Sequence, residues 1–309
     1  MNFCAGLIYD DSRHYIDHLA PFCALMGWPL IICESAIADL ARTYYPTLEV
    51  VEANLWDLDL PRNLVTCTPI LPVDGRNVFW LPHGNSDKEV FMKGQLQKEI
   101  ALVYGQRMID FMAANGVHPT YIRIGNFRRH YYLQHQKFYD SLLHSEKKTI
   151  LYTPTWDESN SLWETLPYIA DFLDDRHHLI IKIHPNTAIK FAPKIEALKG
   201  RYEKENVVFL DDFPPIYPLL NIADLYIGDM SSIGYDFLSF NRPMFFLNPG
   251  KHAAPLFSCG QEVTPEQIGR WIHDEQLHLA PRRQKIYEST FDPAESWESA
   301  CKAIKMSLL

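Results

Sequence analysis

Three short stretches of this chain end an apolar run in side chains that can do chemistry. Val78-Phe-Trp-Leu-Pro-His-Gly-Asn-Ser86 delivers His83, followed by Gly84. Leu179-Ile-Ile-Lys-Ile-His-Pro-Asn186 delivers His184 between Lys182 and Pro185. Ala223-Asp-Leu-Tyr-Ile-Gly-Asp-Met-Ser-Ser-Ile-Gly-Tyr-Asp-Phe237 delivers Asp229, Ser231 and Ser232. An imidazole changes charge near neutral pH, so a histidine at a strand end suits general acid–base work. His83 reads equally as such a base or as a hydrogen-bonded loop histidine. In the third stretch either serine can cap a helix whose apolar positions are Ile233, Phe237, Leu238 and Phe240. The uncapped N–H groups and the positive helix end favour an anion, such as the phosphates of a nucleotide-activated donor. Asp229 either closes the turn or touches that ligand; both readings stay open.

The elements that must carry these groups alternate along the chain. Strand character at 3–9, 30–33, 48–51, 64–67, 77–81, 101–104 and 121–124 is interleaved with helical spacing from Ser12 toward Gly27 and from Gln106 to Ala114. The alternation pauses at Asn126-Phe-Arg-Arg-His-Tyr-Tyr-Leu-Gln-His135, read as the domain junction. It resumes with strands at 149–152, 179–183, 206–209, 224–228 and 243–247, and helices at 160–173, 188–198, 216–221 and 232–240. An amphipathic stretch, Ala294 to Ile304, reads as a closing helix. Such alternation predicts α/β architecture with parallel sheets. The expected division is a Rossmann-like domain at 1–140, a second at 141–290 and a closing segment at 291–309. Two such units are expected to face one another across a cleft, with ligands at the carboxyl ends of the strands.

Composition narrows the classes. The 309 residues are 47% hydrophobic and 22% charged, as in ordinary globular proteins. A formal net charge of -9 argues against a nucleic-acid partner. The six cysteines lack metal-ligand or redox spacing, so free thiols in a reducing, cytoplasmic setting are expected. Neither a signal peptide nor an apolar run of membrane-spanning length is present in the sequence, and a peripheral membrane contact stays open. His14 and His18, with Asp17 between them, have a helical metal-ligand spacing, but with no third ligand in view they read as an exposed polar face. No metal site is expected. Asp211 and Asp212 read as a solvated loop ahead of a metal or ribose site, and Arg128 with Arg129 as either a surface pair or a phosphate contact. Trp156 reads as a core residue ahead of a ring that stacks on a base.

Taken together, Trp80-Leu-Pro-His-Gly84, Gly125-Asn-Phe-Arg128, Tyr152-Thr-Pro-Thr-Trp156, Lys182-Ile-His-Pro185, Asp229-Met-Ser-Ser232, Asp236-Phe237 and Asn241-Arg-Pro243 resemble, in order and approximate spacing, motifs of the CDP-glycerol glycerophosphotransferase family. Members build or prime teichoic-acid-type polymers on a GT-B fold. The resemblance implies that His83 takes the proton of an acceptor hydroxyl attacking phosphorus, while His184 stabilises charge on the leaving CMP. It further implies that Gly84, Asp229, Ser231 and Ser232 lie against the donor phosphates. Lys182, Pro185, Arg128, Thr155, Trp156 and Asp212 would contribute nucleotide or substrate contacts. The donor implied is CDP-glycerol or a similar CDP-alcohol, with no additional cofactor, and the acceptor is either lipid-linked or a soluble polyol or glycan. Two features depart from the pattern: Asp157 stands where relatives carry a basic residue, and Gly125-Asn-Phe-Arg128 lacks the usual proline. These leave two alternatives: a GT-B glycosyltransferase or epimerase using a nucleotide sugar, and a non-catalytic nucleotide-binding relative.

Overall fold

A computed structural model describes residues 4–54, 61–68, 76–85, 87, 99–143, 145–156, 160–247, 254–293 and 296–308. Ser86, Asp157 and Ala294, each part of a stretch read above, lie outside the described residues. The chain forms two compact units, one from residues 1–136 with 288–309 and the other from 137–287.

The first unit is built on a parallel sheet of seven strands: β1 (Cys4–Ile8), β2 (Leu30–Ile32), β3 (Val50–Glu52), β4 (Asn63–Thr66), β5 (Asn77–Trp80), β6 (Ile100–Val103) and β7 (Thr120–Arg123). Their spatial order is β3-β2-β1-β4-β5-β6-β7. β1 is buried along almost its whole length, as a central strand covered on both faces must be. Gly6 lets the helix Ile16–Met26 approach, since a Cβ there would lie 2.4 Å from the Cys23 sulfur. That helix ends at Gly27, whose φ of 67° gives a left-handed cap. The helix Trp297–Ser307 also belongs to this unit and packs on β7.

The second unit holds β8 (Lys148–Thr153), β9 (His177–Lys182), β10 (Val207–Leu210), β11 (Leu225–Gly228), β12 (Met244–Phe246) and the short β13 (Gln261–Glu262). All neighbours are parallel, in the order β10-β9-β8-β11-β12-β13. Its core joins Ile150, Tyr152, Leu166, Ile181, Ile227 and Phe245, all at most 1% exposed. At roughly 1.5–3 kcal/mol for each large apolar side chain withdrawn from water, this cluster is the main force holding helices to sheet.

Several local expectations are corrected. The pause at Asn126–His135 is the helix Phe127–Gln134, capped by the Asn126 side chain, which accepts the Arg129 N–H at 3.2 Å. Phe127, Arg128, Tyr131 and Tyr132 are its buried face, so the apolar stripe is written in polar aromatics and one arginine. The helix read over 188–198 is two, Pro185–Lys190 and Ala192–Tyr202, broken at Phe191. Ser35–Tyr44 and Ala280–Phe291 are helices that the reading of the sequence did not include. Arg282, Arg283, Gln284 and Lys285 disguise the latter. Arg283 is nevertheless buried, donating to Asn241 Oδ1 at 2.8 Å and to the Gln276 carbonyl at 3.2 Å.

Candidate functional site

In each sheet the first strand of its unit lies beside the fourth, so chain direction across the sheet reverses between them. Loops leaving those two strands diverge to opposite faces and open a crevice at their carboxyl ends. In the second unit the pair is β8 and β11, registered from Leu225 opposite Ile150 to Gly228 opposite Thr153. The loop after β8 carries Thr155 and Trp156, and the turn after β11 carries Asp229, Ser231 and Ser232.

Asp229 joins these loops from inside. It is fully buried and accepts the Thr155 N–H at 2.8 Å, the Ser161 N–H at 3.0 Å and the Ser161 hydroxyl at 2.8 Å. With Ser161 donating to the carboxylate, its oxygen is left to accept the Tyr152 phenol at 2.8 Å. Burial pushes that phenol well above its ordinary range, and the Asp229 carboxylate pushes it further, so it remains a donor. Of the two readings of Asp229, the one that closes the turn is supported: a buried carboxylate with both oxygens engaged organises it.

Ser231 caps the helix Ser232–Phe237, its hydroxyl accepting the Ile233 N–H at 3.4 Å. Ser231 and Ser232 are half-buried and stand at the end of β11. Asp236 is buried and accepts the Tyr217 hydroxyl at 3.2 Å, a structural use. His184 follows β9 and caps the helix Pro185–Lys190, where Pro185 begins the first turn. Its Nδ1 accepts the Asn186 N–H at 3.1 Å, so the neutral ring carries its proton on Nε2 and presents a donor. Lys182, the last residue of β9, is buried. Thr155 is buried as well, whereas Trp156 is 47% exposed with its ring 6.1 Å from that of His184. The core reading of Trp156 is therefore corrected: it projects from the strand ends. Asp212 is exposed in the loop after β10, and the neighbouring, half-buried Asp211 pairs with Lys199.

In the first unit, β5 runs into Pro82, His83, Gly84 and Asn85. Gly84 has φ of 110°, a conformation that only glycine adopts readily, which leaves His83 exposed on the turn. The first residues after β1 pack against it. The His14 and Tyr15 rings lie 5.3 Å from the His83 ring and that of His18 lies 6.5 Å away. The expected exposed face of His14 and His18 is corrected: His18 is 7% and Asp17 9% exposed, and a third imidazole stands beside them. Burial holds His18 well below its usual range, helped by the nearby charges of Arg128, His83 and His14. Among the described residues no group of three or more histidine, cysteine or acidic side chains is placed to hold a metal.

Arg128 is not a surface residue. It is 3% exposed, donates to Asp17 Oδ2 at 2.8 Å, and sits over the Tyr104 ring at 5.9 Å. Asp17 accepts the Tyr45 hydroxyl at 3.0 Å on its other oxygen. His14, Tyr15, His18 and Tyr104 are the neighbours of His83 that the sequence did not disclose. The only hint in it was the histidine pair directly after the first strand.

These features define a GT-B-like protein, with two α/β units on parallel sheets and polar residues gathered at strand ends. The wall teichoic acid polymerase TagF matches it over 99% of this chain and 88% of that one, with TM-score 0.73 and 14% identity. A co-structure of S. aureus MnaA with UDP matches over 100% and 98%, with TM-score 0.60 and 10% identity. Residues 133–253 match the profile of CDP-Glycerol:Poly(glycerophosphate) glycerophosphotransferase. The teichoic acid glycerol-phosphate primase of Bacillus subtilis (strain 168) is 30% identical over 121 residues, which are 38% of this chain and 30% of that protein. The chain thus spans about a third of the length of the curated relative it matches.

Proposed function

We propose that this protein is a transferase that moves a glycerol-phosphate-type group from CDP-glycerol, or a close CDP-alcohol, to an acceptor hydroxyl. The observation that carries this reading is one of coincidence. The segment matching the glycerophosphotransferase family, residues 133–253, contains the whole strand-end cluster of Thr155, Trp156, His184, Ser231 and Ser232. A further TagF structure, with TM-score 0.70, comes from a soak with CDPG. In this reading the hydroxyl of Ser232 and the N–H groups of the turn bind the donor diphosphate, and the Nε2–H of His184 donates to it. Trp156 offers an exposed face to the base. His83 removes the acceptor proton as the oxygen attacks phosphorus, the bond to CMP breaks, and the negative charge gathers on the leaving phosphate. Positioning and charge stabilisation account for such chemistry with little covalent participation. Gly84 keeps the turn beside His83 open. No additional cofactor is invoked.

The acceptor is a hydroxyl of a polyol or glycan, free or lipid-linked, and the setting is cytoplasmic. Among the described residues no helix is long and apolar enough to cross a membrane. A thermal-shift series with CMP, CDP-glycerol, UDP and UDP-sugars tests the donor. Stabilisation by cytidine compounds is expected, and stabilisation by uridine compounds only rejects a CDP-alcohol. His83→Ala and His184→Asn should each abolish transfer from CDP-glycerol, with His83→Ala retaining donor binding.

A further inference from the structure

Beneath the exposed His83 lies a chain of buried hydrogen bonds whose proton positions follow by elimination. The Tyr104 hydroxyl lies 2.9 Å from the Pro82 carbonyl and 3.0 Å from His18 Nδ1. A carbonyl can only accept, so the phenol spends its single hydrogen there. His18 Nδ1 must then carry the hydrogen that the phenol oxygen accepts. The Pro82 carbonyl belongs to the peptide that enters His83, so the bond fixes the plane from which the imidazole springs. In the same turn Gly84 contributes no side chain, and both amide atoms of the buried Asn85 lack a hydrogen-bond partner among the described residues.

Tyr104 is itself held firmly. Its ring stacks on Phe127 and meets Phe291 edge-on, each at 5.9 Å, with the Arg128 guanidinium above it. The other end of the chain also returns to His83, since the His18 ring stands nearly perpendicular to it at 6.5 Å. We propose that His18 and Tyr104 are positioning residues for His83, acting through His18 Nδ1–H to the Tyr104 hydroxyl and from that hydroxyl to the Pro82 carbonyl. The inference rests on the reading of His83 as the base. It adds that two residues more distant in sequence fix where that base stands.

The experiment uses the full chain. Tyr104→Phe removes the hydroxyl and keeps the stacked ring, and should lower kcat roughly tenfold or more with donor KM unchanged, the signature of a misplaced reacting group. His18→Asn keeps an N–H near the Nδ1 position and should retain most activity, whereas His18→Ala should fall with Tyr104→Phe. Unchanged kcat in Tyr104→Phe, or equal loss in His18→Asn and His18→Ala, overturns the proposal. If Tyr104→Phe does not fold, the His18 pair decides by itself. An arm independent of turnover is the imidazole nitrogen NMR spectrum. His18 should appear as the Nδ1–H tautomer, and the His83 signals should move in Tyr104→Phe; the opposite tautomer, or unmoved His83 signals, overturns the proposal. Full transfer activity in His83→Ala would instead reject His83 as base, and the spectra would still report on its positioning.

Discussion

Replacing Asp229 by asparagine separates an organiser of the donor turn from a ligand contact. The carboxylate accepts three hydrogen bonds, from the Thr155 N–H, the Ser161 N–H and the Ser161 hydroxyl, all in a fully buried place. An asparagine keeps one oxygen and turns the other into a donor. The Ser161 hydroxyl can reverse, but a backbone N–H cannot, so in either amide orientation one buried N–H faces an NH2. Leaving a buried donor unpaired costs roughly 1–3 kcal/mol, and the remaining bonds lose the charge that made them about twice as strong. The expected loss is therefore about 3 kcal/mol, read as a lower urea midpoint at constant slope. Because the carboxylate also sets the loop bearing Trp156, affinity for cytidine nucleotides should fall as well. An unfolding free energy equal to the parent's, with only nucleotide affinity reduced, would refute the reasoning and return Asp229 to the ligand.

Three further outcomes are expected. Glu99 is 3% exposed, neither of its carboxyl oxygens has a hydrogen-bond partner among the described residues, and burial pushes it up from 4.5 to about 7. The folded state therefore holds this proton more tightly than the unfolded chain, and stability falls as pH rises through that window. The loss is about 3 kcal/mol by pH 8; Glu99→Gln should remove that slope in denaturation at pH 5 and pH 8. Arg128→Met strands the buried Asp17 carboxylate and should cost about 3–5 kcal/mol of stability, and adding Asp17→Asn should recover part of it. Trp156→Ala should leave the melting temperature nearly unchanged, because the ring is exposed, yet weaken CMP binding about tenfold, the equivalent of one lost base stack; calorimetry reads both.

What the sequence determined is the local grammar. An apolar β-run followed by a small or hydroxyl residue dictates a strand that ends in a turn, so the parallel α/β class and the placement of His83, His184 and the Asp229-Met-Ser-Ser232 turn at strand ends are legible residue by residue. The helix Phe127–Gln134 was illegible because tyrosines and an arginine fill its buried face; Arg128 is buried only because Asp17, more than a hundred residues earlier, supplies the opposite charge. Partnership across the sheet was likewise beyond the sequence. Asp229 is a buried strut because β11 lies beside β8 and brings the N–H groups of Thr155 and Ser161 to its oxygens. His14 and His18 meet His83 because β1 and β5 end on the same edge of one sheet, with β4 between them. Strand order arises from which apolar faces pack together, a sum over the whole core, whereas turns and caps arise from the few residues that form them.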